Sequence, residues 1–196
     1  MFFDKRVFLI KKIKKGNILK STWNYQIFDP ETDEQIGELR DGATGMAKIL
    51  GKVFQKRFLT RYLDIYDVRD NSLVFSTKIT PLSSKVTVLD NEGKLVGRLD
   101  SKFLSGCFYF VYDASDREVG QVKGHIMSKD FALVGPHEEG IGVITRSWDG
   151  VGGALLAKSP FCFIVAVEDP LAHTPQVISM LLLATGLALD IGLTKR

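Results

Sequence analysis

The sequence predicts a mainly β protein: a closed antiparallel barrel of about twelve strands around a buried hydrophobic C-terminal helix. Three observations predict it. A β-rich run that ends in an apolar residue and Asp recurs along the chain. The residues flanking those acids alternate with a period of two, which puts every second side chain on one face of a strand. One segment near the C-terminus is apolar on every side of a helical wheel, so it needs a bore to fill.

The recurring run stands at Ile27-Phe28-Asp29, Ile65-Tyr66-Asp67, Val88-Leu89-Asp90 and Val111-Tyr112-Asp113. A small apolar pair follows each: Ile36-Gly37, Leu73-Val74, Val96-Gly97 and Val119-Gly120. The steps from Asp67 to Asp90 and from Asp90 to Asp113 are both 23 residues, and one more reaches Gly135-Pro136, ahead of Ile141-Gly142. Between run and pair lie DPETDE, DVRDNS, DNEGK, DASDRE and GPHEEG, rich in the Asp, Asn, Gly and Pro that reverse a chain. Each unit therefore reads as a hairpin. Strands are expected at 6–13, 23–28, 35–40, 61–66, 73–78, 85–89, 95–100, 107–112, 118–123, 130–134, 141–146 and 161–168. Tyr25 with Ile27, Val86 with Val88, and Phe108 with Phe110 and Tyr112 are expected to share buried faces. Short strands at this spacing suit a sandwich or barrel. A repeat in the twenties also suits a solenoid, but a solenoid does not end in a lone hydrophobic helix, which favours closure.

Two segments break the pattern. From Ala43 to Phe58, Met46, Ile49, Leu50, Val53, Phe54 and Phe58 share one half of a helical wheel, and Lys48, Lys52, Gln55 and Lys56 the other. That is a basic amphipathic helix, suited to capping a barrel end or to touching a membrane surface or partner groove. From Val177 to Leu189 every residue is apolar or small, with Pro175 at a helix start and Thr174 as its cap. Its core positions are Val177, Ile178, Leu181, Leu182, Leu183, Leu187 and Leu189. Counted as far as Asp190 the run covers about 20 Å, against roughly 30 Å of bilayer hydrocarbon. Length thus favours burial in protein, with Asp190 at the exit and Lys195 and Arg196 beyond it.

Composition fits one globular domain over residues 1–196: 45% hydrophobic and 25% charged residues argue against disorder. The net charge of +3 is unevenly spread, since the first twenty residues carry seven cations against Asp4 alone. Lys11, Lys12, Lys14 and Lys15, with Lys48, Lys52 and Lys56, are the candidates for binding an anionic surface; a solvated strand face is the plainer alternative. Cys107 and Cys162 sit in apolar runs without metal-type spacing, and no signal-peptide pattern opens the chain. A cytoplasmic address follows, with peripheral membrane contact as an option.

Catalytic patterns are missing. The stretch from Gly45 to Val53 has one residue too many for a phosphate loop and Val53 where a hydroxyl belongs. His125, His137 and His173 have no second ligand at metal spacing, and His137 is expected in an exposed turn. The acidic turn from Asp29 to Glu34 lacks the glycine and final glutamate of a calcium loop. No nucleophile has a neighbouring base. The expectation is a non-enzyme with no cofactor and no metal.

The stretch from Gly142 to Gly150, GVITRSWDG, is similar to the scramblase signature, in which a Gly-hydrophobic-Ile strand leads to a Trp-x-Gly turn. The strand from Phe161 to Val167 and the helix from Leu181 to Asp190 follow in the same order. The segment from Tyr25 to Asp29 looks like the opening repeat of LURP-one-related proteins. Over essentially its whole length the chain resembles the tubby-like superfamily of tubby proteins, phospholipid scramblases and LURP-one-related proteins. The resemblance implies a twelve-stranded barrel threaded by its C-terminal helix. It implies binding of anionic phospholipid or phosphoinositide headgroups, though no family binding position aligns residue by residue. The chain departs from scramblases between Val151 and Pro160, where their acidic calcium segment is replaced by a stretch with no carboxylate. Their proline-rich tail and cysteine cluster are also missing. Three functions remain: a peripheral binder of anionic lipid, a monomeric protein-interaction scaffold, and a scramblase with a membrane-inserted helix. Nucleic acid is disfavoured, because aromatic residues do not interleave with the basic ones.

Overall fold

The structure, a computed structural model, describes residues 2–15, 22–42, 60–80, 84–101, 107–124, 130–147, 162–168 and 175–193. Among these, a 3-10 turn at Phe2–Asp4 precedes twelve strands. They are β1 (Val7–Lys15), β2 (Thr22–Phe28), β3 (Gln35–Asp41), β4 (Arg61–Asp67), β5 (Leu73–Ile79) and β6 (Lys85–Asp90), then β7 (Leu95–Asp100), β8 (Cys107–Asp113), β9 (Glu118–Gly124), β10 (Asp130–Val134), β11 (Gly140–Ser147) and β12 (Cys162–Val167). One helix, α1 (Pro175–Leu193), ends the chain. The expected helix at 43–58 lies outside the described residues.

Every strand pairs antiparallel with its predecessor, and β12 returns to β1 from Val7↔Ala166 to Lys11↔Cys162, closing the barrel. Closure leaves no free sheet edge, which is how a long meander avoids pairing with other chains. All odd strands run towards one end and all even strands towards the other. The five tight turns after β2, β4, β6, β8 and β10 therefore share an end with the start of α1.

The recurring acid is a turn device. Asp29, Asp67, Asp90 and Asp113 each accept, through Oδ1, the backbone N–H two residues on, at 2.7 to 3.0 Å. Each also donates its own N–H across the turn, to Glu34, Ser72, Lys94 and Arg117. One residue per turn takes positive φ: Asp33, Asn71, Gly93 and Asp116, with Glu138 in the fifth. A bulge falls just before each acid, at Ile27/Phe28, Ile65/Tyr66, Val88/Leu89 and Val111/Tyr112, and again at Leu133/Val134. The fifth turn replaces the acid with Gly135, yet keeps the bond: Glu139 sends its carboxylate back to the N–H of His137 at 2.8 Å. A Cβ at position 135 would meet that carboxylate, which would have to swing aside.

A second repeat ties each hairpin to the strand before it. Lys11, Arg40, Arg98 and Lys123 bond the side chains of Asp33, Asn71, Asp116 and Glu138, the positive-φ residues themselves. In three cases the cation also lies about 4 Å over the aromatic preceding the turn acid: Lys11 on Phe28, Arg40 on Tyr66 and Arg98 on Tyr112. In the DNEGK turn, Gly93 has no side chain to offer.

Three of the turn acids are held below the ordinary carboxylate range. For Asp29 the leading cause is the Lys5 ammonium at 2.6 Å, and for Asp67 the Arg69 guanidinium. At Asp113 burial pushes upward but is outweighed by the backbone N–H groups of Arg117 and Ser115 and by the Arg117 side chain. A depressed folded-state pKa contributes stability that is fully present above the unfolded value near 4 and is lost as pH falls through the folded value. Denaturation midpoints should therefore drop on acidification below about pH 4. The Asp67→Asn variant should show a shallower drop; an unchanged slope would contradict this assignment.

Inside, α1 fills the bore. Ile178, Leu181, Leu182, Leu183, Leu187 and Leu189 are buried and Val177 is half-buried, as expected of a helix apolar all round. The wall answers with Phe8, Ile27, Ile65, Phe75, Val88, Leu133, Ile144 and Val165. Two glycines of the small apolar pairs prove to be seats: Gly97 lies under Leu181 and Gly142 under Leu182. In the opposite sense, Gly186 of the helix makes room for the Phe163 ring. At the turn end, Phe2 stacks on Phe8 with ring centres 5.7 Å apart, above the bare Cα of Gly37.

Two expectations need correction. In β8 the inward residues are Tyr109 and Val111, whereas Phe110 and Tyr112 occupy the outer parity and are half-buried, and Phe108, at a register irregularity, is half-buried edge-on to the Phe131 ring. The strand is apolar at both parities, so periodicity carries no phase. Asp190 is no exit: α1 continues to Leu193 and Asp190 is buried within it.

Candidate functional site

Strand alternation divides the basic run of β1. Phe8, Ile10 and Lys12 point inward, and Lys11 outward. Lys11 is 27% exposed and paired with Asp33 at 2.8 Å. The side chain of Lys12 is 3% exposed, so the ammonium expected to meet an anionic surface is inside the barrel. The physical reason is its parity, shared with Phe8 and Ile10. Lys14 and Lys15 continue β1 opposite Trp23 and Thr22, with side chains outside the described residues. Lys48, Lys52 and Lys56 lie outside them altogether.

What Lys12 meets is a buried polar cluster. Its Nζ donates to Asp190 Oδ2 at 2.7 Å, and the Tyr25 hydroxyl donates to the same oxygen at 2.7 Å. The two donors come from adjacent strands, β1 and β2, where Tyr25 is the cross-strand partner of Lys12. The acceptor comes from the last turn of α1. Burial is the main force pushing the Tyr25 pKa upward, reinforced by the Asp190 charge and its hydrogen bond, with a small opposing effect from Arg61. The phenol therefore stays protonated and keeps donating. An ammonium beside a carboxylate is the arrangement that makes burial of either charge tolerable.

Asp190 and Tyr25 are not among the candidate binding residues read from the sequence. The signals were there: a lysine at the inward parity of an apolar strand, and one carboxylate in an otherwise apolar helix. Each is costly alone, and each is the other's remedy.

Chemically the cluster is an ammonium and a phenol donating to one carboxylate oxygen. Its three groups satisfy one another at the bore wall, and no buried side-chain nitrogen or oxygen among the described residues lacks a partner. Nor does any group of three or more His, Cys, Asp or Glu among them stand where it could hold a metal ion. His137 is exposed in its turn, as expected.

The strand directions also gather the basic segments. The end of β1 and the strand ends that the connections β1–β2, β3–β4, β5–β6, β7–β8, β9–β10 and β11–β12 join lie at one end of the barrel. In sequence those connections carry Lys20, Lys48, Lys52, Lys56, Arg57 and Lys102 among their cations, and Asp149 as their one carboxylate. The opposite end carries the acidic turns. Among the described residues no helix is long and apolar enough to cross a membrane.

No family model matches the chain, and no curated protein matches it. Among solved structures, the X-ray structure of a protein from Arabidopsis thaliana is similar over 97% of this chain and 92% of its own, with a TM-score of 0.53 and 12% sequence identity. At that identity the likeness is one of fold. The chain shares with that plant protein a barrel architecture over nearly its full length.

Proposed function

We propose that the chain is a non-catalytic domain of the tubby-like type, akin to scramblase and LURP-one-related proteins, that binds anionic phospholipid or phosphoinositide headgroups peripherally. The observation that carries this reading is the charge polarity of the barrel. Lys14 and Lys15 end β1 at the barrel end where β3 stops before, and β4 starts after, the basic stretch 43–58 of the sequence, while the acidic turns lie at the other end. The scramblase-like GVITRSWDG stretch and the helix-filled barrel support the family part of the reading.

Each lysine near an anionic leaflet contributes on the order of 1 kcal/mol, screened by salt. The test is co-sedimentation with neutral vesicles and with vesicles containing phosphatidylserine or a phosphoinositide. Pelleting with the anionic vesicles alone, lost in high salt and weakened several-fold in Lys48→Glu/Lys52→Glu/Lys56→Glu, is the expected result. Equal pelleting with both, or none with either, would sink the proposal.

A scaffold role is the second reading, favoured by two of the marked lysines being engaged within the molecule: Lys12 with Asp190 and Lys11 with Asp33. Indifference to vesicles together with capture of one defined protein would support it. The scramblase reading has the least support, since it needs α1 in lipid.

A further inference from the structure

We infer that the Lys12–Asp190–Tyr25 cluster is a register key, which fixes the depth and rotation at which α1 seats in the barrel. The problem it solves is visible in the helix. Leu181, Leu182 and Leu183 present much the same shape in three successive directions, within a bore lined by aliphatic and aromatic side chains. A slip of one residue turns the helix by about 100° and moves it by about 1.5 Å. It exchanges one leucine contact for another. The other buried polar groups of the helix do not prevent this, because they bond the helix itself. Ser179 donates to the Pro175 carbonyl at 2.8 Å, and Thr185 to the Leu181 carbonyl at 2.7 Å. They travel with it.

Asp190 does not travel freely. Any slip takes its buried carboxylate away from two donors fixed on adjacent strands. The seats at Gly97 and Gly142 also discourage slipping, but a methyl contact can repack, whereas a buried charge has few alternatives.

Stability alone gives no reason for this cluster. Buried ion pairs are often no better than well-packed apolar residues of the same volume, and a carboxylate in the last turn of a helix opposes the helix dipole. Specificity does give a reason. A single polar group in an apolar interface is a known way of selecting one register among near-equal ones.

The test uses the full chain and two double variants. In Lys12→Met/Asp190→Leu the charges are removed as a pair. With the Tyr25 hydroxyl losing its acceptor while the two charges go, it should melt close to the wild-type temperature, show doubled amide signals along β1, β2 and α1, and exchange the amides of the last two helical turns about tenfold faster. The charge swap Lys12→Asp/Asp190→Lys should restore one set of signals. Two results overturn the inference. If the apolar double variant shows a single set of signals with wild-type exchange, the glycine seats alone set the register. If that variant fails to fold or melts far below wild type, whatever the swap does, the cluster is a stabilising element and not a key.

Discussion

Replacing Asp190 by leucine alone should cost the fold about 3–5 kcal/mol, close to the largest effect available to one substitution here. The reason is an asymmetry between removing one partner and removing both. The single change deletes the carboxylate to which Lys12 and Tyr25 donate, while the ammonium remains buried in the barrel. Leucine is more apolar than aspartate and a better helix former, so propensity scales and hydrophobicity both predict the opposite sign. Equilibrium denaturation compares the two accounts directly. A loss of several kcal/mol supports the cluster as drawn; a gain would mean that the charges do not face one another.

The second large effect is steric. Gly142→Val should destabilise by about 3 kcal/mol or more, at the upper end of what overpacking costs. A Cβ at this position would fall 2.6 Å from the carbonyl oxygen of Ala166, the residue before its cross-strand partner Val167, and would also strike Leu182 of the helix. The side chain can rotate away, but the backbone carbonyl is held in the sheet. Gly93 offers the control. It sits at positive φ in an open turn with nothing within 4 Å, so a substitution there meets backbone strain without collision. Gly93→Ala should lose about 1 kcal/mol, and a ranking in the opposite order would contradict the assignment of Gly142 as a seat.

The strands were legible because the turns are. Each Asp accepts from the backbone two residues ahead, which needs a short side-chain acceptor at that place, so the spacing of these residues maps the hairpins. The break at Gly135 was readable as a turn but not as chemistry, since the compensating carboxylate of Glu139 comes from the other side of it. Helix burial was legible from composition, and its end was not. Asp190 looks like a terminus until a cation is known to face it. The same blind spot put Lys12 with Lys11, Lys14 and Lys15 as one basic surface, although alternation sends adjacent residues to opposite faces. Charge counts along a chain ignore that parity. The outer parity of Phe110 and Tyr112 shows the converse: where both faces of a strand are apolar, pattern cannot choose between them.

The central physical claim is that the apolar helix takes its solvation from the barrel wall and not from lipid. Hydrogen exchange of the native protein, read over Ile178 to Ile191 with and without phosphatidylserine vesicles, tests it most directly. The account predicts that these amides are among the slowest in the chain, open only with the whole barrel, and keep the same protection when vesicles are present. Rapid exchange of this segment while β1 to β12 stay protected, or a protection pattern that changes on adding vesicles, would contradict it.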